Sequence, residues 1–116
     1  MQRTGVTGIE ESGLIKFWHY VTDALPQVTG SFDLGFFASR LSWEVVYPAP
    51  PIASEVRLEG AIGDNPLNGF YQLDVKTGTA SELRHIVNKP IRFIRVNFVS
   101  SNPNQTIWVF VRAGGV

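Results

Sequence analysis

Two histidines, His19 and His85, are the side chains of this sequence best suited to metal binding or proton transfer. Neither belongs to an H-x-x-H or H-E-x-x-H set or to a similarly spaced group of ligands. The chain has no cysteine that could complete a thiolate site. Both histidines stand among apolar residues, which is typical of a histidine within a strand. We therefore expect no metal and no other cofactor.

Serine hydroxyls and carboxylates are the remaining groups that could catalyse a reaction. No G-x-S-x-G elbow precedes a predicted helix, and the ten Asp and Glu residues are scattered along the chain. Residues 63–69 (GDNPLNG) offer several oxygen donors, but they contain one carboxylate and do not fit the spacing of a calcium loop. We interpret this segment as a turn, and we expect no enzymatic activity.

The charge balance argues against two large classes of partner. Ten Lys and Arg residues face ten Asp and Glu residues, so the formal net charge is zero. A chain without a basic field does not attract a nucleic acid backbone or an anionic membrane. The sequence also lacks an apolar run long enough for a membrane span and a signal-peptide block at its start. We expect a protein that folds inside a cell.

The organising element of the sequence is the stretch from residue 88 to residue 98 (NKPIRFIRVNF). Its side chains alternate, which predicts a central strand with one face in a core. Proline is best tolerated at the first residue of a strand, so we expect this strand to begin at Pro90. The residues predicted to face the core are Ile94, Val96 and Phe98.

The opposite face of the same predicted strand carries Phe93, Arg95 and Asn97. An arginine on the outer face of a sheet can pair with a carboxylate on a neighbouring strand. We expect Arg95 to form such a pair with an outward carboxylate such as Glu59, and we expect its role to be structural.

Short segments rich in β-branched and aromatic residues recur along the chain, separated by Gly, Pro and Asn. Their spacing predicts an all-β fold, an antiparallel β-sandwich or jelly roll of about seven to nine strands, with no helix. Gly35 within one segment indicates a bulge or a close backbone approach. We expect an irregular N-terminal arm at residues 1–12 and a single β-sandwich domain at residues 13–116. The predicted strands are residues 14–21, 32–36, 41–47, 56–62, 70–75, 83–87, 90–98 and 106–112.

Two of these strands, residues 14–21 and 106–112, are apolar on both faces. Several exposed aromatic side chains on a monomer would favour aggregation, so the excess of apolar groups indicates a protein interface. The alternative is a compact sandwich with a few half-exposed aromatic side chains. The predicted interface residues are Ile15, Phe17, Trp18, Trp108 and Phe110.

Three segments in fixed order resemble small β-sandwich structural proteins of tailed bacteriophages. They are VRLEG at residues 56–60, FYQL at residues 70–73 and KPIRFIRVNF at residues 89–98. The resemblance covers residues 56–98. It implies a non-enzymatic virion structural protein, a capsid decoration (cement) protein that binds the major capsid protein on the outer shell, forms a homotrimer and stabilises the shell. Such a protein is assembled into the virion in the host cytoplasm.

The same series of strands also resembles discoidin-like and carbohydrate-binding sandwiches. The alternative function is therefore a carbohydrate-binding module, in which exposed Trp and Tyr side chains stack on sugar rings. For a decoration protein we expect the arm at residues 1–12, together with the rim of one sheet, to bind the capsid surface and to shield the second face of the strand at residues 14–21.

Overall fold

The computed structural model describes residues 9–11, 14–63 and 69–115 of the chain. These residues form an all-β fold without a helix, and every strand pairing is antiparallel. The predicted fold class and number of strands are confirmed. The strands are β1 (Ile9–Glu11), β2 (Leu14–His19), β3 (Gln27–Val28), β4 (Phe32–Val46), β5 (Ala53–Ala61), β6 (Tyr71–Thr77), β7 (Glu82–Asn102) and β8 (Ile107–Gly115).

The strands form one continuous sheet in the order β1-β2-β8-β4-β7-β5-β6, with β3 paired to β7 outside this path. Residues 38–45 of β4 pair with β8 and with the first half of β7. The start of β4 pairs with the second half of β7, which also pairs with β5. The long strands β4 and β7 therefore run through both layers of a sandwich. We call these the β2–β8 layer and the β5–β6 layer. This strand order does not confirm the jelly-roll alternative.

Both long strands were expected to be two shorter ones. Gly35 has a φ of 82°, and the register of β4 against β7 shifts between Asp33 and Ala38. The predicted bulge at Gly35 is thus confirmed, and the strand continues beyond it. The prediction that a strand begins at Pro90 is wrong, because β7 begins at Glu82. Pro90 lies at an irregular position of β7, where a missing N–H interrupts little regular pairing.

The two layers enclose one hydrophobic core. Ile94, Val96 and Phe98 are fully buried, as the alternation of residues 88–98 predicts. Trp43 of β4 and Phe17 of β2 are also fully buried and face them from the β2–β8 layer. Fully burying one such side chain stabilises the fold by about 1.5–3 kcal/mol relative to leaving it exposed.

The outer face of the β5–β6 layer confirms the predicted pairing of Arg95. Arg95 lies opposite Glu59 in the register of β7 and β5, and its Nε donates to Glu59 Oε1 over 2.7 Å. Asn97 Nδ2 donates to the other carboxylate oxygen over 3.3 Å. The guanidinium of Arg95 also lies 4.4 Å from the centre of the Phe70 ring. These contacts connect β5, β7 and Phe70, which are far apart in the sequence.

Side chains bridge the side of the sandwich where β6 meets the first half of β7. Among the described residues, no backbone pairing joins these two segments. The Asp74 carboxylate accepts a hydrogen bond from the Trp43 indole over 2.9 Å and one from Arg84 Nε over 2.7 Å. Asp74 therefore links β4, β6 and β7 at this side.

The N-terminal segment departs from the expected irregular arm. Ile9–Glu11 forms β1, which pairs with β2 so that Ile9 lies opposite Lys16 and Glu11 opposite Leu14. The prediction is wrong for these three residues, because β2 is an edge with backbone groups free to pair. Residues 1–8 and 12–13 lie outside the described part of the chain, and the predicted shielding of β2 by the arm stays a prediction.

Candidate binding surfaces

The predicted interface residues are divided between the two sides of the β2–β8 layer. Ile15 and Phe17 face the core and are 3% and 0% exposed. We correct the prediction for these two, because they have almost no surface to offer a partner. The sequence could not show this, since β2 is apolar on both faces. Trp18, Trp108 and Phe110 lie on the outer side and are half-buried.

The outer residues form a cluster of aromatic rings. Trp18 lies directly opposite Trp108 in the register of β2 and β8, and their ring centroids are 6.0 Å apart. Phe110 stacks on Trp108 with centroids 6.2 Å apart and an interplanar angle of 9°. Tyr20 meets Trp108 edge-on, with centroids 6.4 Å apart. We call Trp18, Tyr20, Trp108 and Phe110 the aromatic cluster.

The outer face of the β2–β8 layer becomes polar beyond the aromatic cluster. Along β8, Phe110 lies opposite Glu44, and Arg112 lies opposite Ser42. Ser42 in turn lies opposite His85 of β7, and its hydroxyl hydrogen-bonds His85 Nδ1 over 2.9 Å. The face therefore joins flat aromatic surface to hydrogen-bonding and charged groups.

A concavity of about 280 Å³ lies at the polar end of this face. Arg40 lies opposite Gly114 in the register of β4 and β8, so no side chain stands between Arg40 and the space beside it. Two guanidinium groups and one hydroxyl border the concavity. Its lining residues are Arg40, Ser42, Arg112, Ala113 and Gly114.

The pairing of Ser42 with His85 has the composition of a nucleophile and its base. Among the described residues, no carboxylate hydrogen-bonds His85, and the pair lies on an open sheet face. Catalysis by such a pair requires an oriented base and donors for an oxyanion. The pair is a hydrogen-bonding feature of this face. The sequence could not predict it, because 43 positions separate the two residues.

A second surface lies at the end of the sandwich where β5 ends and β6 begins. Phe36 and Phe37 at the β4 bulge are 42% and 54% exposed, and Ile62 and Tyr71 are both 68% exposed. The registers of β4, β7, β5 and β6 bring these positions to the same end of the sheet. We call these four residues the apolar end. In a regular strand Phe36 would follow Leu34 into the core, but the bulge turns it outward.

A further concavity of about 520 Å³ lies between β6 and the first half of β7. Its charged groups bind one another. Arg84 contacts both Asp74 and Glu82, at 2.7 Å and 3.1 Å. Burial raises the pKa of Asp74, but hydrogen bonds from Arg84 and Trp43 outweigh that effect and hold the pKa below its usual 3.8. These pairs stabilise the fold and are not free for a ligand.

Among the residues that the structure describes, no group of three or more His, Asp or Glu side chains is placed to hold a metal ion. Residues 64–68 of the predicted turn lie outside the described part. Within the described ranges, no helix has the length and apolar character required to cross a membrane.

No protein-family model matches this chain, and no curated protein matches it by sequence. Solved structures do resemble it. A family 29 carbohydrate-binding module complexed with cellulohexaose has a TM-score of 0.54 at 12% identity, over 96% of this chain and 77% of that chain. The SPBc2 prophage-derived protein YomS has a TM-score of 0.53 at 10% identity, over 90% and 98%.

A cleaved adhesin domain of Lys-gingipain has a TM-score of 0.59 at 7% identity, over 85% of this chain and 70% of that chain. Identities this low show a shared fold, and function has to be argued from the surfaces of each protein. The chain is a β-sandwich similar in fold to carbohydrate-binding modules and to a prophage-derived protein.

Proposed function

We propose that this chain is a non-enzymatic structural protein of a bacteriophage particle, a capsid decoration protein that binds the outer shell and stabilises it. The observation that carries the proposal is the apolar end, where Phe36, Phe37, Ile62 and Tyr71 are all more than 40% exposed. Large exposed apolar side chains that lie at the same end of a molecule are candidates for a protein interaction site. The resemblance of residues 56–98 to phage structural proteins and the fold likeness to YomS support the same function.

The apolar end is suited to docking on a large assembly. Burying one large apolar side chain contributes about 1.5–3 kcal/mol, but association also has a large entropic cost. One copy would therefore bind weakly, and a homotrimer would bind through three apolar ends at once. With a net charge of zero, docking gains little from long-range attraction, so it should weaken little as the salt concentration rises.

The test uses capsids of the encoding phage from which this protein has been removed. Phe37→Ser and Ile62→Ser each place a polar group on the apolar end without touching the core. We expect both variants to melt like the wild type and to lose most of their occupancy on the shells. Val28→Ser is the matched control, because Val28 is 47% exposed but lies on β3. Equal occupancy of all three variants and the wild type would refute the proposal.

The second candidate function is carbohydrate binding, and the aromatic cluster favours it. Flat aromatic side chains offer large rigid apolar surfaces on which a sugar ring can stack. Hydrogen-bonding groups such as Glu44 and Ser42 lie next to the cluster. If this candidate is correct, Trp108→Ala abolishes glycan binding and leaves shell binding intact. A glycan array to which the wild-type protein does not bind would refute it.

A further inference from the structure

We infer that the outer face of the β2–β8 layer binds an acidic saccharide, in which a sugar ring stacks on the aromatic cluster and a carboxylate is held by Arg40 in the concavity beside Arg112. The inference goes beyond shell binding. It rests on the carbohydrate-binding candidate and names the substrate class of that face.

The first observation is the state of Arg40. Four other arginines of the described structure each form an ion pair with a carboxylate within 3.1 Å. They are Arg57, Arg84, Arg92 and Arg95. Arg40 is exposed and has no hydrogen bond or ion pair with any described residue. A guanidinium presents a planar pair of donors that matches a carboxylate. Arg40 is therefore the arginine of this surface that is ready to bind an external carboxylate.

The second observation is the room beside Arg40. Because Gly114 lies opposite it, the concavity of about 280 Å³ opens between Arg40 and Arg112. A Cβ atom placed on Gly114 would lie 3.9 Å from Arg40 Cβ, so a larger side chain there would occupy this space. Ser42, bonded to His85, adds a hydroxyl at the border. The concavity can hold a carboxylate and the part of the ring that carries it.

The third observation is the distance between the concavity and the aromatic cluster. Arg112 follows Phe110 by two residues on the same side of β8, which is about 7 Å along a strand. A stacked ring and a carboxylate on the next ring fit this separation. Glu44 lies beside the aromatic cluster, opposite Phe110, where it can accept hydrogen bonds from sugar hydroxyls.

The charge of the face agrees with an anionic ligand. Lys16, Arg40 and Arg112 lie on the outer side of the β2–β8 layer, and Glu44 is the carboxylate among the described residues of β2, β4 and β8 on that side. On these three strands basic residues outnumber acidic ones on the outer side, although the charges of the whole chain sum to zero. A basic surface on a neutral protein selects for acidic ligands locally without attracting polyanions over long distances.

The experiment titrates the full-length protein with hexagalacturonic acid, with its methyl ester and with cellohexaose, using calorimetry. We expect the acid to bind at least about tenfold more tightly than the ester or the neutral sugar. Arg40→Gln and Gly114→Leu should each weaken binding of the acid by about tenfold, the first by removing a charge and the second by filling the concavity. Trp108→Ala should abolish binding of all three saccharides.

Arg57→Gln is the matched control, because Arg57 is a half-buried arginine on β5 in the other layer. The affinity of this variant for the acid should equal that of the wild-type protein. The Tm of every variant should lie within a few degrees of the wild-type Tm. Equal affinity for acid and neutral saccharides would overturn the inference while leaving the carbohydrate-binding candidate intact. An equal loss of affinity for the acid in Arg40→Gln and Arg57→Gln would also overturn the inference, since the net charge of the protein would then explain binding. If the protein binds none of the saccharides, the inference and the carbohydrate-binding candidate are both wrong. Binding to the shell is measured separately, with the variants of the apolar end.

Discussion

Replacing Asp74 with Asn tests how much the side-chain bridge between the layers contributes to stability. The carboxylate accepts hydrogen bonds from the Trp43 indole over 2.9 Å and from Arg84 Nε and Nη2 over 2.7 Å and 3.0 Å. An asparagine keeps the shape but loses the charge and turns one acceptor into a donor. The new NH2 group faces the Arg84 guanidinium in either orientation. At the Oδ2 position it also meets the Trp43 indole N–H, and at the Oδ1 position it also meets the backbone N–H of Val75.

The size of the effect follows from burial. Trp43 is fully buried, and the Asp74 side chain is 18% exposed. A hydrogen bond to a charged group contributes about 1.5–3 kcal/mol, and a buried donor without a partner costs about 1–3 kcal/mol. Arg84 is 31% exposed and also binds Glu82, so its share is smaller. We expect Asp74→Asn to lower the free energy of unfolding by about 2–3 kcal/mol and the Tm by about 10 °C.

The effect should depend on pH in a defined direction. The pKa of Asp74 is lowered in the folded protein, because the hydrogen bonds from Arg84 and Trp43 outweigh the burial that raises it. Below the usual value of 3.8 the unfolded chain therefore binds more protons than the folded one. The stabilisation is present above that value and is lost as the pH falls through the lowered pKa. Urea unfolding between pH 7 and pH 3 should show the two proteins converging at the acid end.

Asp33→Asn is the matched control. Asp33 also binds an arginine, with Arg92 Nε at 2.9 Å and Nη2 at 3.3 Å, but both side chains are exposed to water. Exposed ion pairs contribute little, so this variant should melt close to the wild type. The reasoning is refuted if both variants lose the same free energy of unfolding, or if Asp74→Asn has the Tm of the wild type. In either case burial of the Asp74 carboxylate does not determine how much its hydrogen bonds stabilise the fold.

Three further variants test backbone and charge positions by thermal unfolding. Gly60→Ala should destabilise by about 1–3 kcal/mol, because a Cβ there would lie 2.7 Å from Leu73 Cδ1; an unchanged Tm would mean that Leu73 moves aside freely. Gly35→Ala should cost about 1–2 kcal/mol through its φ of 82° alone, since nothing lies within 4 Å of the new atom, and a stabilised variant would contradict this. Arg95→Ala should cost about 1–2 kcal/mol by leaving the buried Glu59 without its cation; a loss of ligand binding at unchanged Tm would assign Arg95 to a site instead.

The sequence predicts those features that depend on local alternation. The buried face of β7 at Ile94, Val96 and Phe98 follows from a period of two, and the partnership of Arg95 with Glu59 follows from placing both on outer faces. The sequence could not predict that β7 continues through Pro90. That continuity depends on neighbouring strands, which hold the chain extended on either side of the irregular position.

The candidate sites were harder to predict than the fold. On β2 both faces are apolar, so only packing decides that Phe17 is buried and Trp18 lies outside. The basic concavity depends on the register of β4 against β8, which brings Arg40 beside Gly114 and Ser42 beside Arg112 across about 70 residues of sequence. No local pattern encodes that register.

The passage of β4 and β7 through both layers has a consequence for how the molecule opens. A sandwich with separate sheets can lose one sheet while the other persists, but here the same two strands supply hydrogen bonds to each layer. Opening one layer therefore disturbs the ladder of the other. Amide hydrogens in the middle of β4 and β7 should exchange with solvent only by global unfolding, and those of the edge strands β1 and β6 should exchange sooner through local opening. The whole sandwich should behave as a single cooperative unit, with equal calorimetric and van't Hoff enthalpies.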